Sequence, residues 1–163
     1  MADRPRYFRQ QDRTRANSIR DKFIEPAKKR GIDIRAVENT DYGSGVPLSI
    51  NTAIYIGEHL LAVADVRWRS RRYNEMEISN KDLYNHLARW HMENPSTPAF
   101  VIWAFGDTMD VLAWQYNPNE KYSPRPGGRS DRGDERDFEP DMIPIPSDKL
   151  ERSETIWTRA GLI

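Results

Sequence analysis

Apolar residues recur at helical spacing between Arg13 and Arg30, where Ala16, Ile19, Phe23 and Ala27 make one narrow stripe. This predicts a helix over 13–30. Pro26 predicts a kink, or a split after Phe23, because proline lacks an N–H and its ring crowds the preceding turn. Gly31 marks the stop. From Asp33 to Glu38 the pattern moves towards alternation, with Ile34 and Ala36 set against Arg35, which predicts a strand. Residues 39–49 hold two glycines and a proline and read as a loop. Two further apolar stretches, 53–57 and 60–68, flank the tight turn Gly57-Glu58 and predict a β-hairpin.

The second half of the chain starts with a helix signal. Ser79 stands three residues before Asp82, the spacing of a capping box, and Leu83, Leu87 and Trp90 form the inward stripe of a helix over 80–93. Ala99 to Phe105 is a continuous apolar run, as expected for a strand buried on both faces. Gly106-Asp107 turns it, and 111–116 returns as a strand. Residues 117–140 carry four prolines, three glycines and many charges, and predict a mobile loop. Met142 to Ile145 predicts a short edge strand, since Pro144 and Pro146 argue against a central one. Residues 1–12, polar and Arg-rich, read as a flexible arm. The expectation is a single α/β domain over 1–163, with a small mixed sheet flanked by helices.

Composition narrows the function classes. The chain has 163 residues and no cysteine, which excludes disulfides and thiolate-bound zinc. His86 and His91 stand five apart, the wrong spacing for a shared zinc on one helix face. No apolar run is long enough to span a membrane, and the N-terminal stretch lacks the apolar segment of a secretory signal. The expected location is therefore a reducing cytoplasm. Formal charge sums to zero, but basic residues crowd Arg13–Arg30 and the cluster Arg67, Arg69, Arg71 and Arg72, while acids gather late in the chain. Phosphate attraction acts over about 8–10 Å, so local patches suit a nucleic-acid surface even at zero net charge. Ordinary solvated faces are the alternative.

One stretch carries a further pattern. LLAVADVRWRSRRYNEMEISNKDLYNHLARW is followed by TPAFVIWAFGDTMDVLAW. The hairpin's second strand ends in Asp65-Val66-Arg67, a basic stretch follows, Ile78-Ser79-Asn80-Lys81 opens the helix, and an apolar strand comes next. Over residues 13–116 this resembles the PD-(D/E)XK nuclease superfamily, in particular small phage-type and Holliday-junction-resolvase-like members. The resemblance implies a restriction-endonuclease-like core. It also implies a site in which carboxylates hold Mg²⁺ and a lysine two residues along the strand positions water. Residues i and i+2 of a strand share a face, so Asp65 and Arg67 project side by side. Asp65 would be the metal-binding carboxylate. Arg67 stands where the family has lysine, and a guanidinium grips phosphate but is a poor proton acceptor. The hairpin's first strand opens with no acid; Asn51 is its nearest substitute, and Asp41 the nearest acid in the loop before it. Glu25 is the candidate helix carboxylate. Arg69, Arg71, Arg72 and Lys81 would contact nucleic acid. Trp68 faces the side opposite to Arg67 and Arg69, where packing under a helix is expected.

Each of these has a plainer reading. Asp65 and Arg67 can be a simple ion pair, Glu25 a solvated helix residue, Asp41 a turn former, Ser79 a cap and Lys81 a solvated lysine. Three functions stay open on the sequence. The first is a Mg²⁺-dependent endonuclease or junction resolvase with a variant site. The second is an inactive DNA- or RNA-binding module, DNA being favoured. The third is an interaction protein, for example a phage or other viral accessory protein. Superfamily members of this size often act as dimers, which leaves a homodimer or a protein partner open. Carboxylates converging on Asp65 would favour the enzyme.

Overall fold

A computed structural model describes residues 6–40, 45–128 and 138–163. Asp41 and residues 1–5 and 129–137 lie outside the described residues. Helix α1 (Arg6–Lys28) begins earlier than the stripe alone predicts, so residues 6–12 are helical and not an arm. Pro26 lies inside it and does not split it. The proline removes one hydrogen bond near the helix end, and burial of Phe23, Ile24 and Ala27 around it holds the turn. The stop at Gly31 is as predicted. Gly31 has φ 83°, its N–H meets the Lys28 carbonyl at 2.9 Å, and the Ile32 N–H meets that of Ala27 at 3.3 Å. This pairing closes a helix end on a left-handed residue.

The strands follow the expected positions closely. β1 (Ile34–Glu38), β2 (Thr52–Ile56) and β3 (His59–Arg69) form an antiparallel meander. Strand β4 (Glu75–Ser79) has no counterpart among the expected strands. After it a wide helical turn, Asn80–Tyr84, runs into α2 (Asn85–Glu93). Ser79 caps that turn as predicted, its hydroxyl accepting from the Asp82 N–H at 3.2 Å. β5 (Ala99–Phe105) then runs parallel to β3, and β6 (Val111–Gln115) returns antiparallel. β7 (Arg125–Gly128) and β8 (Phe138–Pro146) precede the short β9 (Glu151–Arg152) and α3 (Ser153–Arg159). The main sheet has the order β1-β2-β3-β5-β6-β9, and a second sheet the order β4-β8-β7.

The second sheet corrects two expectations. Within the 117–140 segment, expected as a mobile loop, the described residues include β7 at 125–128 and the start of β8 at 138–140. The segment also has an apolar anchor in Tyr122, whose ring lies 6.1 Å from that of Trp114. β8, expected at an edge, is the middle strand. The prolines explain how this is possible. β7 pairs with 138–142, whereas β4 pairs with 142–146. Pro144 and Pro146 therefore stand beyond β7, where one flank has no ladder to interrupt.

Both faces of the main sheet are covered. α1 and α3 pack on a face bearing Ile54, Ala62, Ala64, Val66, Phe100 and Ile102. Trp157 of α3 lies edge-on to Phe23 of α1 at 5.1 Å and donates Nε1–H to the Phe23 carbonyl at 2.9 Å. The opposite face, with Val63, Val101 and Trp103, packs against α2 and the second sheet. Among the described residues, no helix is long and apolar enough to cross a membrane.

Candidate functional site

Alternation along β3 sends Val63, Asp65 and Arg67 to the α2 face and Ala64, Val66 and Trp68 to the α1 face. Asp65 is 6% exposed. Its Oδ2 accepts from Arg67 Nε at 2.9 Å, so the two motif side chains meet each other. Val101 and Trp103 of β5, both buried, stand in register opposite them. An apolar wall of this kind strengthens the attraction within the pair but also raises the cost of desolvating it, so a carboxylate left unpaired there is costly.

Asn51 is committed to the sheet. Its Oδ1 accepts from the Val66 N–H at 2.9 Å and from the Thr52 hydroxyl at 2.8 Å, while Nδ2 donates to the Val66 carbonyl at 3.3 Å. The carboxamide thus continues the β2–β3 ladder one step past the point where the backbone leaves it. Asn39 fixes the loop that delivers Asn51. It is buried, and its Nδ2 donates to the carbonyls of Val46, Pro47 and Ile50 at 2.9–3.1 Å.

A second arginine, absent from the sequence-derived candidates, completes the neighbourhood. Arg20 of α1 is 2% exposed. Its Nε donates to Thr52 Oγ1 at 2.8 Å, and its terminal nitrogens to Asn17 Oδ1 at 2.8 Å and the Asn51 carbonyl at 3.0 Å. Burial pulls its pKa below the ordinary arginine value, while the charges of Glu38, Asp65 and Asp21 act in the other direction. It stays a cation, as arginine does in proteins. A sequence signal existed: Arg20 stands four residues after Ala16 and three before Phe23, on the inward stripe itself.

The other candidates are dispersed. Glu25 is exposed and pairs with Lys29 at 3.2 Å on the outer side of α1. Arg69 donates from Nη1 to the Trp68 carbonyl at 2.8 Å. The Arg71 guanidinium lies over the Tyr73 ring at 4.7 Å. Arg72 donates to the Ser147 hydroxyl and carbonyl, tying the end of β3 to the segment after β8. Lys81 is exposed on the wide helical turn.

The described residues do not fit a Mg²⁺ site. A hard cation needs several oxygen ligands, with enough negative charge to replace its water. Asp65 is engaged by Arg67, the Asn51 oxygen already accepts two hydrogen bonds, and Arg20 adds positive charge nearby. Among the described residues, no three His, Asp or Glu side chains group to hold a metal.

The antiparallel meander, the α2 crossover and the parallel β5, flanked by helices, make this a nuclease-like α/β fold. Among solved structures, the chain is similar to D212, a nuclease from a fusselovirus. The TM-score is 0.55 and the identity 13%, covering 99% of this chain and 94% of that one. At such identity the likeness is one of fold. No family model and no curated protein matches the chain.

Proposed function

We propose that this protein is a nucleic-acid-binding member of the nuclease-like folds, acting on DNA in a reducing cytoplasm, and that its motif position serves binding and structure instead of metal-dependent cleavage. The observation that carries this reading is the 2.9 Å pair between Asp65 and Arg67 where the PD-(D/E)XK pattern has a metal-binding acid and a lysine. The carboxylate is neutralised in place, and the neighbouring Asn51 oxygen is occupied. Arg69, Arg71 and Arg72 cluster at the end of β3 and just beyond it, with Lys81 after β4, and would supply the phosphate contacts. The nuclease named among structures of similar fold adds support for a nucleic-acid partner.

The test is duplex DNA binding across a salt series, with cleavage assayed alongside in Mg²⁺. Binding that weakens steeply with salt is expected, at a slope of about −0.9 per phosphate contact, together with intact DNA. Absence of binding at low salt would remove the proposal. The competing reading is a Mg²⁺-dependent endonuclease. It draws on the likeness to D212 and requires Asp41 to supply a second carboxylate. Cleavage by the wild type that disappears in Asp65→Ala would establish it.

A further inference from the structure

On the α1 side of the main sheet, next to the motif but facing away from it, lies a cleft of about 840 Å³. That is within the roughly 300–1,000 Å³ typical of ligand sites. It opens between α1 and the carboxyl ends of β3 and β5, the parallel pair of the sheet, and open α/β sheets place ligands at such ends. Its lining includes Arg15, Ser18, Lys22, Trp68, Gly106 and Met109, and it contains two cations and no carboxylate.

Four features suggest that the cleft is built for a flat, anionic partner. Trp68 is 37% exposed, whereas Trp90, Trp103, Trp114 and Trp157 are all buried. The Arg15 guanidinium lies over the Trp68 ring, 4.3 Å from its centroid. Gly106 is required for the ring's position, because a Cβ there would stand 2.9 Å from Trp68 Cζ2. At the rim, Met109 adopts φ 62°, the one left-handed non-glycine among the described residues, and is 67% exposed. That conformation belongs to the β5–β6 turn, where the Met109 N–H donates to the Phe105 carbonyl at 2.8 Å, and the turn holds the apolar side chain at the cleft rim.

We propose that this cleft receives an unpaired base of a single-stranded nucleic-acid segment. The base stacks on the Arg15–Trp68 pair, with Met109 closing its edge and Lys22 meeting an adjacent phosphate. Arginine planes and indole rings both stack on bases without regard to sequence. The occupant follows from charge as well as shape: cations without acids, around an aromatic platform, complement phosphate and base together. This deepens the nucleic-acid reading above and rests on it. The partner would be a duplex carrying a single-stranded tail, with the duplex on the Arg69–Arg72 side and the tail in the cleft.

The experiment compares a blunt DNA duplex, the same duplex with a single-stranded tail, and the tail strand alone, by fluorescence anisotropy on the full chain. Tailed duplex should bind more tightly than blunt. Trp68→Leu should lose that advantage, roughly tenfold for one stacked base, while keeping blunt-duplex affinity. Arg15→Gln, an exposed change on the helix surface, should lose part of it and guards against a folding artefact at Trp68. Tail binding should also quench tryptophan fluorescence in the wild type and not in Trp68→Leu, because the other four indoles are buried. Equal affinity for tailed and blunt duplex, unchanged in both variants, overturns the stacking site and leaves duplex binding standing. Binding of the tail alone, without duplex binding, overturns the duplex surface on the Arg69–Arg72 side and supports the stacking site. No binding of any probe overturns both.

Discussion

Arg67 and Trp68 are neighbours on β3 and face opposite ways. On one side Arg67 is held by Asp65 against the buried wall of Val101 and Trp103. On the other, Trp68 meets Arg15 at the mouth of an open cleft. The first region contains the residues that resemble a catalytic motif, yet its polar groups are already matched to one another. The second resembles no motif, and its Arg15–Trp68 pair borders open space. The partner that a side chain already has limits its chemistry more than its residue type does.

The largest effect should come from the closed side. Arg20→Met removes three charge-assisted hydrogen bonds from a buried network, leaving the Thr52 hydroxyl oxygen without its donor and the Asn51 carbonyl with the Asn39 N–H alone. A loss of roughly 2–4 kcal/mol is expected. Thermal melting should show it as a fall of about 5–10 °C. A drop smaller than that of Asp65→Ala would mean that the network is not what holds this side together.

Next is the restoration of the family pattern. Asn51→Asp cannot donate to the Val66 carbonyl and should cost about 1–2 kcal/mol. Combined with Arg67→Lys, it should still give no Mg²⁺-dependent nicking of plasmid DNA, because Arg20 remains beside the site. Nicking by the double variant would show that the closed side is a decayed nuclease centre with its scaffold intact.

Asp65→Ala should cost only about 1 kcal/mol by urea denaturation, since the freed Arg67 side chain is 25% exposed and can turn to water. The smallest stability effects belong to the Arg69→Ala, Arg71→Ala double variant, within about 0.5 kcal/mol as for surface positions. Its expected signature is a flatter salt dependence of DNA binding, by about 0.9 in slope for each phosphate that an arginine no longer neutralises. An unchanged slope would move the duplex surface away from the β3 end.

What could be read from the sequence follows the same division. Period-two and apolar-run signals located β1, β2, β3, β5 and β6 because each of these strands has at least one face in a core. The adjacency of Asp65 and Arg67 followed from strand geometry alone. The second sheet escaped because β4 was not expected, β7 and the start of β8 read as turn and loop composition, and Met142–Ile145 read as an edge strand; only the staggered pairing around Pro144 makes a middle strand tolerable there. Asn39 and Arg20 act through carbonyls and hydroxyls brought from distant segments, which no local pattern encodes. Arg20 did leave a trace, as a cation on an apolar stripe, and that trace is legible once burial is known. Trp68, expected under a helix, lies beside α1 and half open.

The bond between the Trp157 indole and the Phe23 carbonyl joins residues 134 apart in sequence. During synthesis this makes α1 wait. Its inner face leaves the ribosome before the aromatic ring that covers Phe23, which is made only after every described strand of both sheets. Until then Phe23 and Phe100 lack one of their walls, and the nascent chain carries an apolar surface of the sort that chaperones recognise. A chain stalled before Trp157 should therefore be held by a chaperone or degraded, because α3 brings the ring that closes this apolar face.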